Sequence, residues 1–298
     1  MEKALIVIGG PTASGKTNIA VKLAKKFNGE IINADSRTVY REMDLATSKP
    51  TLTEKQNIPH HLFDILNPDQ PFSVAEYKKL ANEKIEEIQG RNHLPILVGG
   101  TGLYLDATIY SYNLTTSKPN LELRRELNQL SIKEILDKLK KVDPKSAEKI
   151  DPNNKRRLIR ALEVTLTSGR PFSKQQKKKA LGKNVLYLAL DIPRVDLYRK
   201  INKRVDSWVN DGLVEETKKL SEKYPSDLPA MSSLGYKEII EYISGTMTLD
   251  MATEIMKRRT RNYAKRQLTW LKRNKDIKWV KSYSEAASLV QDFLSKES

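Results

Sequence analysis

The chain has 298 residues, 39% hydrophobic and 30% charged, enough for one large domain or two modest ones with a real core. It contains no cysteine, which excludes disulfides, thiolate metal sites and a cysteine nucleophile, and no apolar run long enough to span a membrane as a helix. Its net charge of +16 points to a polyanionic partner such as nucleic acid, because each phosphate neutralised releases counterions; a generally basic surface is the alternative.

The N-terminus enters directly into an apolar run, residues 4–9, that reads as a buried strand with no signal-peptide pattern, so a cytoplasmic location is expected. The next residues are Gly10, Pro11, Thr12, Ala13, Ser14, Gly15, Lys16 and Thr17, which fit G-x-x-x-x-G-K-[ST] between that strand and a helix over 16–27. The chemistry of such a loop is geometric. Its glycines let backbone N–H groups wrap an anion, and the helix adds its N-terminal dipole. Lys16 reaches a terminal phosphate and the Thr17 hydroxyl is placed to ligate Mg²⁺. The pattern specifies a phosphate and leaves open what carries it, ATP or another diphosphate.

Gly29 is expected to end that helix, and "EIINADS" (30–36) to form a second strand with Asp35 at its end. A carboxylate there can orient a metal or accept a proton from a nucleophile; a turn role is the alternative. Ser73 and Glu76 make a capping box that starts a helix at 74. "LPILVGGTGLYL" (94–105) gives a third strand, broken at Gly99-Gly100. It lacks the terminal Asp of a Walker B strand, which argues against motor- and GTPase-type enzymes but not against small-molecule kinases. Strands alternating with helices at this spacing predict an α/β fold, a P-loop-type parallel sheet flanked by helices. The phosphate loop, Asp35 and Thr101 would then share the carboxyl edge of the sheet.

Residues 117–183 are charged and helical, an all-helical subdomain inserted into a core of 1–116 and 184–298, and end in a basic run (173–184) that reads as mobile. "VLYLALDIP" (185–193) returns to strand. Residues 194–220 and 249–273 read as long basic helices, with a last strand over 277–280. His60 and His61 are adjacent and His93 stands alone, not the spacing of a zinc site.

Several segments occur together and in order: "GGPTASGKT", "INADSRTVYREMD", "PHHLFDILNP", "VGGTGLYL", "DPNNKRRLIRALEV", "LYRKINKRVDSWVNDGL", "SSLGYKE" and "RNYAKRQLTWLKR". With them the chain resembles the bacterial tRNA dimethylallyltransferase (isopentenyltransferase) family over residues 4 to 282. The resemblance implies that the loop holds dimethylallyl diphosphate with Mg²⁺, not a cleaved ATP. It also implies transfer of the prenyl group to N6 of a flipped adenine at tRNA position 37. Asp35 would be the general base, Thr101 a neighbour of the reacting groups, and Lys16 and Thr17 would meet the leaving pyrophosphate. The tRNA side would be met by Asp35, Ser36, Arg37, Thr38, Thr101, Arg124, Arg156, Arg157, Arg160, Gly235, Tyr236, Lys265, Arg266 and Gln267, with Trp270 in the core.

The chain departs from the family pattern at Thr38 (commonly Gln), at Ala46 and Ser48 (Gly and Ala), at Arg156 (Gln) and at Lys200. An arginine at position 200 would help bind pyrophosphate; Arg199 is a possible substitute, since lysine cannot copy a bidentate fork. A monomer is the default expectation. The competing readings are prenyl transfer to free adenine nucleotides, a P-loop kinase, and a non-catalytic RNA-binding relative.

Overall fold

The computed structural model describes residues 4–110, 120–175 and 184–296. Six strands pair in parallel as one sheet among the described residues: β1 (Leu5–Gly9), β2 (Gly29–Asn33), β3 (His60–His61), β4 (Leu94–Gly99), β5 (Val185–Leu190) and β6 (Lys278–Val280). The spatial order is β3-β2-β4-β1-β5-β6, with β1 between β4 and β5. Every residue of β1, β2 and β4 is buried, and β1 and β4 accordingly read as near-continuous apolar runs and not as alternating ones.

The period-2 geometry of the strands sends Ile6, Ile8, Ile31, Ile96, Val98, Leu186 and Leu188 to one face. There they pack on α1 (Lys16–Lys26) through Ala20, Val21 and Leu23, and on α14 (Tyr283–Ser295) through Ala286, Ala287 and Val290. Helices α3 (Val74–Gly90) and α4 (Gly102–Ile109) also contact the sheet. The capping box at Ser73 and Glu76 forms as the sequence predicts. The four-residue α2 (Leu52–Lys55) lies in the loop before β3.

After the sheet's fifth strand come α10 (Arg194–Asn210) and α11 (Leu213–Lys223), then α12 (Tyr236–Ile243) and α13 (Leu249–Lys272). The single helix expected over 194–220 is therefore two. Gly212 takes φ +103°, a conformation a helix interior cannot hold, and the chain turns there. Gly29 also differs from expectation: it begins β2, and the turn after α1 falls on Asn28 at φ +50°. A second apolar cluster (Val39, Met43, Val205, Trp208, Leu213, Tyr236, Ile239, Met256) joins these helices to the loop after β2.

The chain divides into two compact units, Met1–Ile109 with Leu181–Ser298, and Tyr110–Ala180. The second is built from α5 (Leu121–Gln129), α6 (Ile132–Val142), α7 (Pro144–Lys149), α8 (Lys155–Ser168) and α9 (Phe172–Gln175) around Ile135, Leu139, Leu158 and Leu162. Residues 111–119 and 176–183, on which the expected ends of the insertion and most of its basic run fall, lie outside the described residues. Among the described residues no helix is long and apolar enough to cross a membrane.

Candidate functional site

Three strand ends build the site. After β1 the chain runs through Gly10 to Gly15 with Ala13 at φ +61° and Gly15 at φ +86°. A non-glycine residue in the left-handed region is costly and persists only where its surroundings impose it. Gly15 is the N-cap of α1, and no side chain caps the helix. The first N–H groups of α1 are thus left for an anion, with the positive end of the helix dipole behind them. The Ser14 hydroxyl is buried with no hydrogen-bond partner, and Thr17 makes no side-chain hydrogen bond among the described residues.

The Lys16 ammonium bends back to donate to the Pro11 carbonyl at 3.3 Å. Burial lowers its pKa most, the Asp35 charge raises it and the Arg204 charge lowers it, leaving it at about 8. A cation held at that cost has lost hydration that a phosphate would replace.

Asp35 lies two residues past β2 in a tight turn. Its Oδ1 accepts the Arg37 N–H at 2.9 Å, its N–H donates to Asn33 at 3.0 Å, and Oδ2 makes no hydrogen bond among the described residues. The turn chemistry of "ADS" is therefore real, and it aims the remaining oxygen. Thr101, past β4, accepts the Ser36 N–H at 3.0 Å and lies beside the Tyr263 hydroxyl. Burial first, and then the Asp35 charge, raise the Tyr263 pKa. Gly99 lets the two strand ends meet, since a Cβ there would stand 2.0 Å from the Ala34 carbonyl oxygen.

These residues border a cleft of about 630 Å³. Its walls include Thr12 to Asn18, Asp35, Thr38, Lys49, His60 and, from α10, Lys200, Lys203 and Arg204. Gly10, Pro11, Ser36, Arg37 and Thr101 are not wall residues; Thr101 acts on the cleft through the turn it holds.

Arg204 is the residue the sequence reading missed. It has no hydrogen bond or ion pair among the described residues, and burial depresses its pKa against the attraction of Glu54. A desolvated, uncompensated guanidinium beside a phosphate loop is a ligand-binding group in waiting. The signal lay in the spacing, because Arg204 is one helical turn beyond Lys200 and so faces the same way. Arg199 does not line the cleft and pairs with Asp196 at 3.6 Å. His60 was also passed over. Its Nδ1 lies 2.8 Å from the Ile58 carbonyl, which can only accept, so Nε2 is a bare, buried acceptor in the cleft wall.

Several residues expected to touch RNA are engaged inside the protein. Thr38 is buried and donates to Asn33 at 3.0 Å. Tyr236 is wholly buried, its hydroxyl on Glu216 at 2.6 Å. Gly235 is buried at φ +96°, where a Cβ would meet Ala46 at 2.4 Å. Gln267 is 5% exposed and bonded at both ends of its amide to backbone. Arg124 and Arg160 are drawn onto the buried carboxylate of Glu163 at 3.0 and 2.9 Å. Lys265 and Arg266 stand exposed on α13, Arg266 stacked 5.7 Å from the Tyr263 ring, while Arg156 and Arg157 are exposed on the first turn of α8. Trp270 is not in the core: it is 36% exposed, with its Nε1 donating to Asp106 at 3.1 Å.

A family model described as IPP transferase matches residues 38–274. The tRNA dimethylallyltransferase of Thermoanaerobacter sp. (strain X514) is 46% identical, covering 98% of this chain and 97% of that protein. The enzyme of the same name from Halothermothrix orenii is 45% identical, covering 97% and 93%. Among solved structures, the full-length tRNA isopentenylpyrophosphate transferase of Bacillus halodurans is 41% identical with a TM-score of 0.74, covering 99% of this chain and 96% of that one. A eukaryotic dimethylallyltransferase acting on tRNA superposes with a TM-score of 0.88 at 30% identity, covering 99% and 80%.

Proposed function

The chain belongs to the IPP transferase family and is a tRNA prenyltransferase, and from that premise we propose how its own cleft carries out the reaction. The donor is dimethylallyl diphosphate, and the acceptor is the exocyclic N6 of adenine 37 of tRNA. The observation that carries this reading is the pairing, on one cleft, of a phosphate-type loop flanked by the desolvated cations Lys16 and Arg204 with the Asp35 carboxylate, whose Oδ1 is held by the Arg37 N–H.

The diphosphate lies against the N-terminus of α1, meeting the loop N–H groups, the Ser14 hydroxyl, Lys16 and Arg204. As the N6–C bond forms, the allylic C–O bond breaks and its electron pair leaves with the pyrophosphate. The cations beside the loop meet that developing charge, and because they are already desolvated they need little reorganisation. N6 is a poor nucleophile, since its lone pair is delocalised into the ring. Oδ2 of Asp35 accepts the proton that N6 loses, while the Arg37 N–H on Oδ1 and the Thr101–Ser36 bond hold the carboxylate in place. Thr17 offers a hydroxyl ligand suited to Mg²⁺, which favours few protein ligands, phosphate oxygens and water. When bound, the ion supplies positive charge to the departing pyrophosphate.

Exposed Lys265, Arg266, Arg156 and Arg157 are the residues we assign to tRNA phosphates, each on its own unit.

The test is mass spectrometry of nucleosides from unmodified tRNA incubated with protein, Mg²⁺ and dimethylallyl diphosphate, beside a tube holding AMP in place of tRNA. Isopentenyladenosine is expected from the tRNA tube and no prenylated product from the AMP tube, and mass mapping of ribonuclease fragments should place it at position 37. Asp35→Ala should lower the rate by about 10²- to 10⁴-fold, the range for losing a positioned base, with tRNA affinity kept. An undiminished rate in that variant would remove Asp35 from the chemistry.

A further inference from the structure

The motif "AKRQLTW" contains a polar residue whose place in the fold is not the one its neighbours suggest. Gln267 follows the exposed pair Lys265 and Arg266, yet it points the other way. On α13, residues 263, 267, 270 and 271 share one side by the 3.6-residue period, and that side lies along the glycine-rich ends of β1 and β4. Leu271 packs where a Cβ on Gly9 would stand 3.0 Å away. Tyr263 lies against Thr101, and the Trp270 ring covers Gly102. Between them the Gln267 amide accepts the Thr12 N–H at 2.8 Å and donates to the Gly100 carbonyl at 2.9 Å.

We infer that Gln267 is a positioning residue for the diphosphate: it ties the phosphate loop to the strand end carrying Thr101, and so sets diphosphate affinity without touching either substrate. The inference rests on the phosphate-loop reading above. Thr12 N–H is spent on Gln267, so it is not one of the groups that cradle phosphate; the anion falls to the N–H groups further along, at the start of α1. What the bond does is fix the loop before the ligand arrives. A loop without it must be ordered at the moment of binding, and that cost is subtracted from affinity. The amide serves both ends at once, since one backbone partner needs an acceptor and the other a donor.

The glycine opposite gives an independent way in. A Cβ on Gly100 would stand 2.2 Å from Gln267 Nε2, the far end of a flexible side chain. Gly100→Ala therefore displaces the amide with Gln267 itself unchanged, with a lesser tightening against the Gly10 carbonyl 3.3 Å from the new Cβ.

The experiment compares wild type, Gln267→Met, Gly100→Ala and the pair Lys265→Ala/Arg266→Ala. Calorimetric titration with inorganic pyrophosphate and Mg²⁺, without RNA, is followed by KM measurements for dimethylallyl diphosphate and for tRNA. Gln267→Met and Gly100→Ala should each weaken pyrophosphate about tenfold and raise the diphosphate KM to match, the effect of one or two lost hydrogen bonds. Their tRNA KM should stay within about twofold of wild type, whereas the Lys265/Arg266 pair should show the opposite split. Thermal melts identify a variant that has not folded, and the other then decides. A Gln267→Met protein with unchanged pyrophosphate affinity and a raised tRNA KM would overturn the inference and return Gln267 to the RNA. Wild type that takes up no pyrophosphate would instead overturn the phosphate-loop reading, and the inference with it.

Discussion

Lys16 carries a titration that the reaction should display. The group is pushed down to about 8, first by burial and then by Arg204, with Asp35 opposing. A diphosphate binds the charged ammonium and favours it, so above pH 8 binding must take up a proton. The KM for dimethylallyl diphosphate is expected to rise by up to tenfold per pH unit above about 8. Lys16→Arg should flatten the profile, because guanidinium does not titrate there. A wild-type KM that stays level from pH 7 to 9.5 would show that Lys16 does not meet the diphosphate. The sign for folding is opposite. Between about 8 and the ordinary value of 10.5, the unfolded chain holds a proton the folded one has lost, so this group makes stability rise with pH across that window. Residues bound by a loop pattern, such as Lys16 and Thr17, were legible in the sequence, because the pattern is local and its geometry is fixed. Gln267 was not, since its neighbours in sequence face solvent and its partners, Thr12 and Gly100, are 255 and 167 positions away.

The two-residue strand β3 poses the same difficulty at the scale of an element. It pairs with β2 only at His60 and His61, too short a run to be seen as a strand in the sequence. It is held by a side chain instead. Glu30 of β2, 3% exposed, receives His61 at 2.5 Å, His93 at 2.6 Å and Arg91 at 2.9 Å, tying β3 and the approach to β4 onto one carboxylate. Burial pushes the carboxyl up, but Arg91, His61 and His93 together outweigh it and hold it at about 2. A lowered carboxyl pKa stabilises the fold above the ordinary value of 4.5, and that contribution is lost as pH falls toward 2. Glu30→Gln should therefore cost about 1–3 kcal/mol at pH 7, the exposure of Arg91 keeping it below the full value of a buried pair. Urea unfolding at a series of pH values checks it: the gap between wild type and variant should narrow from pH 4.5 downward. A gap independent of pH would mean that packing, not charge, holds the edge. The longer elements were legible for the reason β3 was not. β1, β4, β5, α3 and α13 each carry enough apolar residues at one period to declare themselves, while the break between α10 and α11 hangs on the conformation of Gly212 alone.

For the whole molecule, a net charge of +16 points to a polyanionic partner but does not say which charges bind it. The structure sorts them. Arg124 and Arg160 are committed to Glu163, Lys49 to Asp44 and Asp64, Lys257 to Asp206 and Glu254, and Arg259 to Glu238. A cation already paired releases no counterion when a phosphate approaches, so only the unpaired ones should register in the salt dependence of binding. Arg156 and Arg157 are exposed without a carboxylate partner among the described residues, and so are Lys265 and Arg266. The logarithm of tRNA affinity should fall linearly with the logarithm of salt, each phosphate contact adding roughly 0.7–0.9 to the slope. Arg156→Ala/Arg157→Ala should thus lower the slope by about 1.4–1.8, and Lys265→Ala/Arg266→Ala by a similar amount. Arg124→Ala is the contrasting case. It removes a partner from a carboxylate that is 1% exposed, so it should lower the melting temperature and leave the slope within about 0.3 of wild type. Filter binding from 50 to 300 mM salt measures all three. Equal slopes for wild type and Arg156→Ala/Arg157→Ala would put α8 outside the RNA interface, and the positive charge of the helical unit would then be surface composition alone.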